Sequence, residues 1–111
     1  MINKISGIYK ISNKISGKIY IGSSKNISMR FKAHFTLLKN KEHENNYLQN
    51  AFDKYGEYDT EGNKIWICEI VEECEPTKKI LEETEQKWLD ETRCYERDVG
   101  YNIIKIAYRP P

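Results

Sequence analysis

Five residues in this chain combine a reactive type with a suggestive spacing: Tyr9, Tyr20, Arg30, His34 and Glu85. Glu85 needs the most explanation. At about 100° per residue, Ile80, Leu81, Thr84, Trp88 and Leu89 share one arc of a predicted helix, and Glu85 falls inside it. Glu82 lies at the arc's edge and Glu83 points to the opposite, solvated side. A carboxylate buried bare is strongly unfavourable, so Glu85 must meet a cation, a donor or a proton. A salt bridge to a neighbouring helix satisfies it, and so does a divalent metal. Arg30 and His34, four residues apart, share one face of another predicted helix. A surface arginine and a solvated histidine are the plain readings; a phosphate clamp with a proton-handling neighbour is the chemical one. Tyr9 and Tyr20 stand at the two ends of a predicted hairpin, although core packing is the commoner use of a tyrosine.

Taken together, these types fit cleavage of a phosphodiester. That reaction needs an activated water, charge neutralisation on the phosphoryl oxygens and help for the leaving alkoxide. An arginine clamps phosphate bidentately. A carboxylate-held Mg²⁺ neutralises charge and stabilises the leaving oxygen. A phenol positions the water, or takes its proton if a nearby cation pulls its pKa down from about 10.

The elements that must position these residues are legible in order. Gly7–Gly22 reads as a β-hairpin, with β-branched and aromatic residues at both ends and Ser12–Gly17 as its turn. A four-residue loop with Ser12 facing Gly17 places Tyr9 directly opposite Tyr20, on one face. Asn26 caps a helix running to about Lys39, with Ile27, Phe31, Phe35 and Leu38 as its apolar stripe. A polar connection carrying His43 leads to a helix over Asn46–Tyr55, stopped by Gly56. Glu57–Lys64 is a loop. Ile65–Val71 reads as a third strand, largely buried on both sides. Pro76 and Thr77 open the Glu85 helix, which reaches about Thr92, and Gly100–Ile106 is an extended segment packing back.

At 111 residues the chain reads as one domain, 1–111. No apolar run approaches the roughly 18 to 20 residues of a membrane span, and the polar start carries no secretory signal. Cys68, Cys74 and Cys94 are odd in number and lack a CxxC spacing, which favours reduced thiols and a cytoplasmic setting over a disulfide framework or zinc knuckle. The net charge of +1 hides a split. Residues 1–55 carry ten Lys/Arg against three Asp/Glu, and residues 56–111 carry eight against fourteen. A basic half facing a polyanion is one reading; folding that mixes the halves into a neutral surface is the other.

Gly7-Ile8-Tyr9 and Tyr20-Ile21-Gly22, ten residues apart, resemble the signature of the GIY-YIG nuclease superfamily. Arg30-Phe31-Lys32-Ala33-His34-Phe35 resembles that family's R-x-x-x-H helix. Glu85 with Gln86-Lys87-Trp88, and then Gly100-Tyr101-Asn102, match its late carboxylate and GYN elements. His43 with Leu48-Gln49-x-x-Phe52-x-x-x-Gly56 is most similar to the catalytic domains of phage group I intron homing endonucleases. The resemblance implies an α+β fold, a small central antiparallel sheet of about three strands flanked by three helices. It also implies divalent-metal-dependent cleavage of double-stranded DNA, with one Mg²⁺ or Mn²⁺ ion held by Glu85. Tyr9 and Tyr20 then line the site, and one of them, with Tyr9 preferred, handles the attacking water. Arg30 binds the scissile phosphate, and His34 hydrogen-bonds near it or relays the proton. Gly22 permits close backbone approach, Asn102 orients its neighbours and His43 supports. Lys10, Lys18, Lys25 and Lys32 would contact the DNA backbone.

Homing relatives carry a linker and a separate DNA-binding domain, and 108–111, containing Arg109-Pro110-Pro111, reads as a frayed end or the start of such a linker. The resemblance implies a monomer or a transient dimer on DNA, away from membranes, in the host-cell cytoplasm if phage- or virus-encoded. A restriction-type endonuclease and a non-catalytic DNA-binding module of the same fold are the alternatives.

Overall fold

Six elements follow one another in the predicted order: β1 (Gly7–Asn13), β2 (Ile19–Ser24), α1 (Ile27–Lys39), α2 (Asn46–Tyr55), β3 (Trp66–Glu73) and α3 (Lys78–Thr92). The computed structural model describes residues 4–107, so the expected linker start at 108–111 lies outside the described residues.

Each helix begins where a side chain takes over an orphan backbone donor. The Oδ1 of Asn26 accepts from the amide of Met29 at 3.3 Å, that of Asn45 accepts from Leu48 at 3.0 Å, and Thr77 Oγ1 accepts from Ile80 at 3.3 Å. Such a cap is worth about 1 kcal/mol. Left-handed residues close the last two helices, Gly56 at φ +80° after α2 and Arg93 at φ +56° after α3.

The three strands form one antiparallel sheet in the order β2-β1-β3. The central strand is covered on both sides. Tyr9 and Ile11 pack with Ile27 and Leu38 of α1, Leu48 and Phe52 of α2, and Trp66. Ile8 packs with Ile21, Leu89 of α3 and Cys94 on the other face. The sheet therefore separates α1 and α2 from α3, and alternation along β1 decides which core each residue enters.

Three expectations are corrected. In the hairpin, Tyr9 pairs with Gly22 and Ile11 with Tyr20, two residues away from the expected register. The loop is Lys14–Gly17, closed by the Asn13 amide donating to the Lys18 carbonyl at 2.9 Å. Asn13 causes the shift, since its Oδ1 accepts from the amides of Ile15 (2.9 Å) and Ser16 (3.1 Å) and pulls the turn forward. Gly17, at φ +79°, then supplies the left-handed position inside the loop. A slip of two residues preserves side-chain parity, so both phenols still face α1.

Second, β3 is an edge strand, and Ile67 and Ile70 are 40% and 43% exposed where burial on both sides was expected. Its pairing with β1 also shifts between Ile8 and Tyr9, leaving Val71 as the extra residue of a bulge. The bulge turns Glu72 toward α3, where its Oε1 accepts from Trp88 Nε1 at 2.8 Å and pairs with Lys87.

Third, the late segment buries Gly100, Tyr101, Asn102 and Ala107, while Ile103, Ile104 and Ile106 are exposed. Its backbone meets the sheet in a parallel bridge between Gly100 and Ile19, and the Tyr101 and Asn102 side chains reach β1 and β2 beyond it.

Candidate active site

Tyr9 is seated by an absence opposite it. Its cross-strand partner is Gly22, and a Cβ there would stand 2.4 Å from both Cζ and Oη of the Tyr9 ring. The glycine is thus the space the phenol occupies. Tyr20 lies diagonally across, with ring centroids 6.4 Å apart. Phe31 meets Tyr9 edge-on at 5.2 Å.

Behind the phenol stands a row of two imidazoles. His34 is fully buried, contrary to the solvated alternative, and its Nε2 lies 2.6 Å from Tyr9 Oη. Its Nδ1 lies 2.7 Å from Nε2 of His43, with the two ring planes within 12° of each other and their centroids 5.0 Å apart. The Asn45 amide donates to His43 Nδ1 at 3.0 Å. Gln49 steadies this end: its Oε1 accepts from the His43 amide at 3.0 Å, and its Nε2 donates to the Leu38 carbonyl and to Asp53, each at 3.0 Å.

Burial governs the protonation states. It pushes His34 down to about 3, with Arg30 and His43 adding to the effect. It lowers His43 too, again with help from Arg30. Both imidazoles are neutral at pH 7. Burial also raises the Tyr9 phenol well above its ordinary value, and Tyr20 and Glu85 act the same way, whereas Arg30 pulls it down. The resting hydroxyl is therefore protonated, and Arg30, exposed on α1, is the charge that favours its ionised form.

Glu85 is buried at 5% exposure, as its place in the apolar arc of α3 requires. Its Oε1 accepts from Ser23 Oγ, the residue after Gly22, at 2.5 Å. That bond ties α3 to the end of β2 beside the phenol. Among the described residues no cluster of three or more His, Cys, Asp or Glu side chains could hold a metal. A single buried carboxylate nevertheless suits Mg²⁺, which keeps several waters and takes one or two carboxylates plus substrate phosphate.

Asn102 acts as one residue's worth of a missing strand. Its Oδ1 accepts from the amide of Ile21 at 2.9 Å and its Nδ2 donates to the Ile21 carbonyl at 2.8 Å. Ile21 sits between Tyr20 and Gly22, so Asn102 fixes the backbone that carries both.

The four lysines do not share one surface. Lys10 lies on the sheet face opposite Tyr9 and pairs with Glu69 at 3.7 Å. Lys18 closes the hairpin loop, beside Tyr47 and Lys54. Lys25 follows β2, near Ser6 and Glu73, and Lys32 is exposed on α1 beside Phe31.

Ser23, Asn45 and Gln49 were not anticipated as site residues. Asn45 carried a local signal, being a good N-cap just before a predicted helix. Gln49 entered only within the Leu48-Gln49-x-x-Phe52 resemblance, with no role attached, and a serine after the hairpin announces nothing without coordinates.

Comparison with known proteins agrees with this geometry. Residues 5–102 match the family model described as the GIY-YIG catalytic domain. Intron-associated endonuclease 1 of Enterobacteria phage T4 is 36% identical over 103 residues, 93% of this chain but only 38% of that relative's length. A mutant form of the catalytic domain of intron endonuclease I-TevI superposes with a TM-score of 0.77 at 34% identity, covering 91% of this chain and 95% of that one. A second structure of the catalytic domain of homing endonuclease I-TevI gives 0.75 at 34% identity, over 89% and 98% respectively. On the family match across nearly its whole length and a shared three-stranded, three-helix fold, this chain belongs to the GIY-YIG nuclease family.

Proposed function

We propose that the chain is the catalytic module of a divalent-metal-dependent DNA endonuclease of the homing type, acting on double-stranded DNA in the cytoplasm. The observation that carries this reading is the buried Tyr9 hydroxyl, 2.6 Å from His34 and under the influence of Arg30.

Arg30 takes the non-bridging oxygens of the scissile phosphate, where its planar fork gives two parallel hydrogen bonds. Tyr9, held from behind by His34 and first ionised by loss of its own proton to solvent, orients a water for in-line attack and takes its proton. As the new P–O bond forms, the bond to the leaving alkoxide breaks, and that oxygen collects a proton from solvent. Tyr20 walls the site, and Asn102 holds the strand that carries it. Glu85 would hold a single Mg²⁺ or Mn²⁺, which when bound supplies positive charge to the phosphoryl group and leaving oxygen. A module of this size acts as a monomer or a transient dimer on DNA. Among the described residues no helix is long and apolar enough to cross a membrane.

Supercoiled plasmid tests the reading directly. Mg²⁺-dependent nicking that EDTA and Glu85→Ala both abolish is the expected result. DNA binding without cleavage, unchanged by Glu85→Ala, would instead make the chain a binding module. A reproducible double-strand cut at one short palindrome would make it a restriction-type enzyme.

A further inference from the structure

The hydrogen-bond row behind Tyr9 has a direction, and the direction limits what His34 can do. It starts at the backbone amide of Asn45, which can only donate, so His43 Nδ1 at 3.0 Å must accept. A neutral imidazole carries one N–H, so the His43 proton sits on Nε2. That nitrogen faces His34 Nδ1 at 2.7 Å, which must therefore accept. The His34 proton is left on Nε2, pointing at Tyr9 Oη 2.6 Å away.

We propose that His43, set by the Asn45 amide, locks His34 as the Nε2–H tautomer, so that His34 donates to the Tyr9 oxygen and stabilises its phenolate. This rests on the nuclease reading for its catalytic consequence, though not for its geometry. His43 is a positioning residue acting through His34. Neutral His34 has no free lone pair toward Tyr9, so it is closed as an acceptor for the phenol's proton. That proton leaves outward to solvent before the chemical step, and the resulting phenolate then takes the proton of the attacking water as the P–O bond forms. Arg30, which can only donate, acts on the same oxygen and favours its ionised form. Two donors around one phenol oxygen form a cradle for negative charge.

The opposite polarity would put a proton on His43 Nδ1, leaving two buried donors facing each other at 3.0 Å. It would also leave the Asn45 amide without its acceptor. Charging both rings is opposed by burial and by Arg30. The ionisable groups acting on this row are Tyr9 of β1, Tyr20 of β2, Arg30 of α1, Glu44 beside His43, and Glu85 of α3. Of these, Arg30 is the permanent cation on the side where the phenolate forms.

The test reads nitrogen protonation in the intact chain without DNA. In ¹⁵N-labelled protein at pH 7, both histidines should show a pyrrole-type Nε2 and a pyridine-type Nδ1. An Nδ1–H tautomer or an imidazolium at His34 would overturn the proposal. A variant pair then tests the consequence. His43→Phe, which cannot donate, should leave His34 in mixed tautomers. It should lower the nicking rate at pH 7 roughly tenfold and move the rising limb of the pH profile up by about one unit, as expected for one weakened bond to a charged oxygen. His43→Gln, whose amide N–H can reach the same nitrogen, should restore the single tautomer and recover most of the lost rate. Equal rates and pH profiles in both variants would overturn the proposed role, and wild-type ¹⁵N shifts decide the tautomer even if a variant fails to fold. Nicking by a chain whose His34 carries its proton on Nδ1 would sink this proposal alone. The expected tautomer in a chain that nicks no DNA would sink the nuclease reading and the catalytic consequence with it.

Discussion

Replacing Gly22 with alanine adds one methyl group and should cost both stability and cleavage. No left-handed φ is required at Gly22, so the backbone accepts alanine and the penalty is a pure contact. The new Cβ would lie 2.4 Å from Tyr9 Cζ and Oη, whereas ordinary contact begins at 3.4 Å, so the phenol or the strand must retreat by about 1 Å. Tyr9 is 1% exposed, with Phe31 edge-on and His34 on its hydroxyl, so no vacant direction receives it. Overpacking of this kind typically costs about 1–3 kcal/mol, and 1 kcal/mol shifts Tm by roughly 4–8 °C in a domain near this size. A displacement of about 1 Å in a group that orients the nucleophile costs on the order of 10²-fold in rate. Thermal unfolding and plasmid nicking should therefore both fall in Gly22→Ala. Gly17→Ala is the control: Gly17 sits at φ +79° with nothing within 4 Å of a Cβ, so strain should lower stability and leave the rate alone. Wild-type Tm and rate in Gly22→Ala would refute the claim that this glycine is Tyr9's seat.

Three further outcomes follow from the same contacts. Tyr9→Phe leaves the buried His34 N–H without its acceptor, so it should lose about 1–3 kcal/mol by urea denaturation and at least 10²-fold in nicking; unchanged nicking would remove Tyr9 from the mechanism. Asn102→Ala strips the Ile21 amide and carbonyl of their partners, and faster hydrogen exchange at Ile21 with about 1–3 kcal/mol of destabilisation is expected; Ile21 exchange at the wild-type rate would contradict this. Because His34 and His43 are lowered in the folded chain, the unfolded chain binds more protons below its own histidine pKa of about 6.5. The stabilisation is complete above that pH and is lost as pH falls toward the folded values. Between pH 6 and 5 His34, held down to about 3, should remove roughly 1 kcal/mol per unit with His43 acting in the same direction, and a flat urea midpoint across that range would show that the rings are not held neutral.

The helices were legible because their signals are local. Asn26, Thr77 and Gly56 mark ends that depend on neighbouring residues alone, and the 3.6-residue period placed α2 within its observed bounds. Glu85 was legible for the same reason, as a charge inside an apolar arc. What the sequence hid depends on distant contacts. The hairpin register rests on Asn13 capturing two loop amides, and its own Nδ2 donates to the Tyr101 hydroxyl at 3.1 Å, 88 residues away. The order β2-β1-β3 makes β3 an edge, although its run of isoleucines reads the same in an edge or a central strand. His34 is buried because the connection carrying His43 folds over it, and no helical pattern reports where a later loop returns. The phenol, arginine and carboxylate were visible as residues, whereas the row of histidines that backs the phenol existed only in the fold.

The central claim is that Tyr9, Arg30 and Glu85 serve one phosphate. The most direct measurement is a crystal structure of the chain with a DNA duplex and Mn²⁺, using the metal's anomalous signal to place the ion. A single strong peak at the Glu85 carboxylate, a backbone phosphate on Arg30, and the Tyr9 hydroxyl on the water in line with the scissile bond are the expected result. An ion bound away from Glu85, or a phosphate seated out of reach of Tyr9 and Arg30, would contradict it.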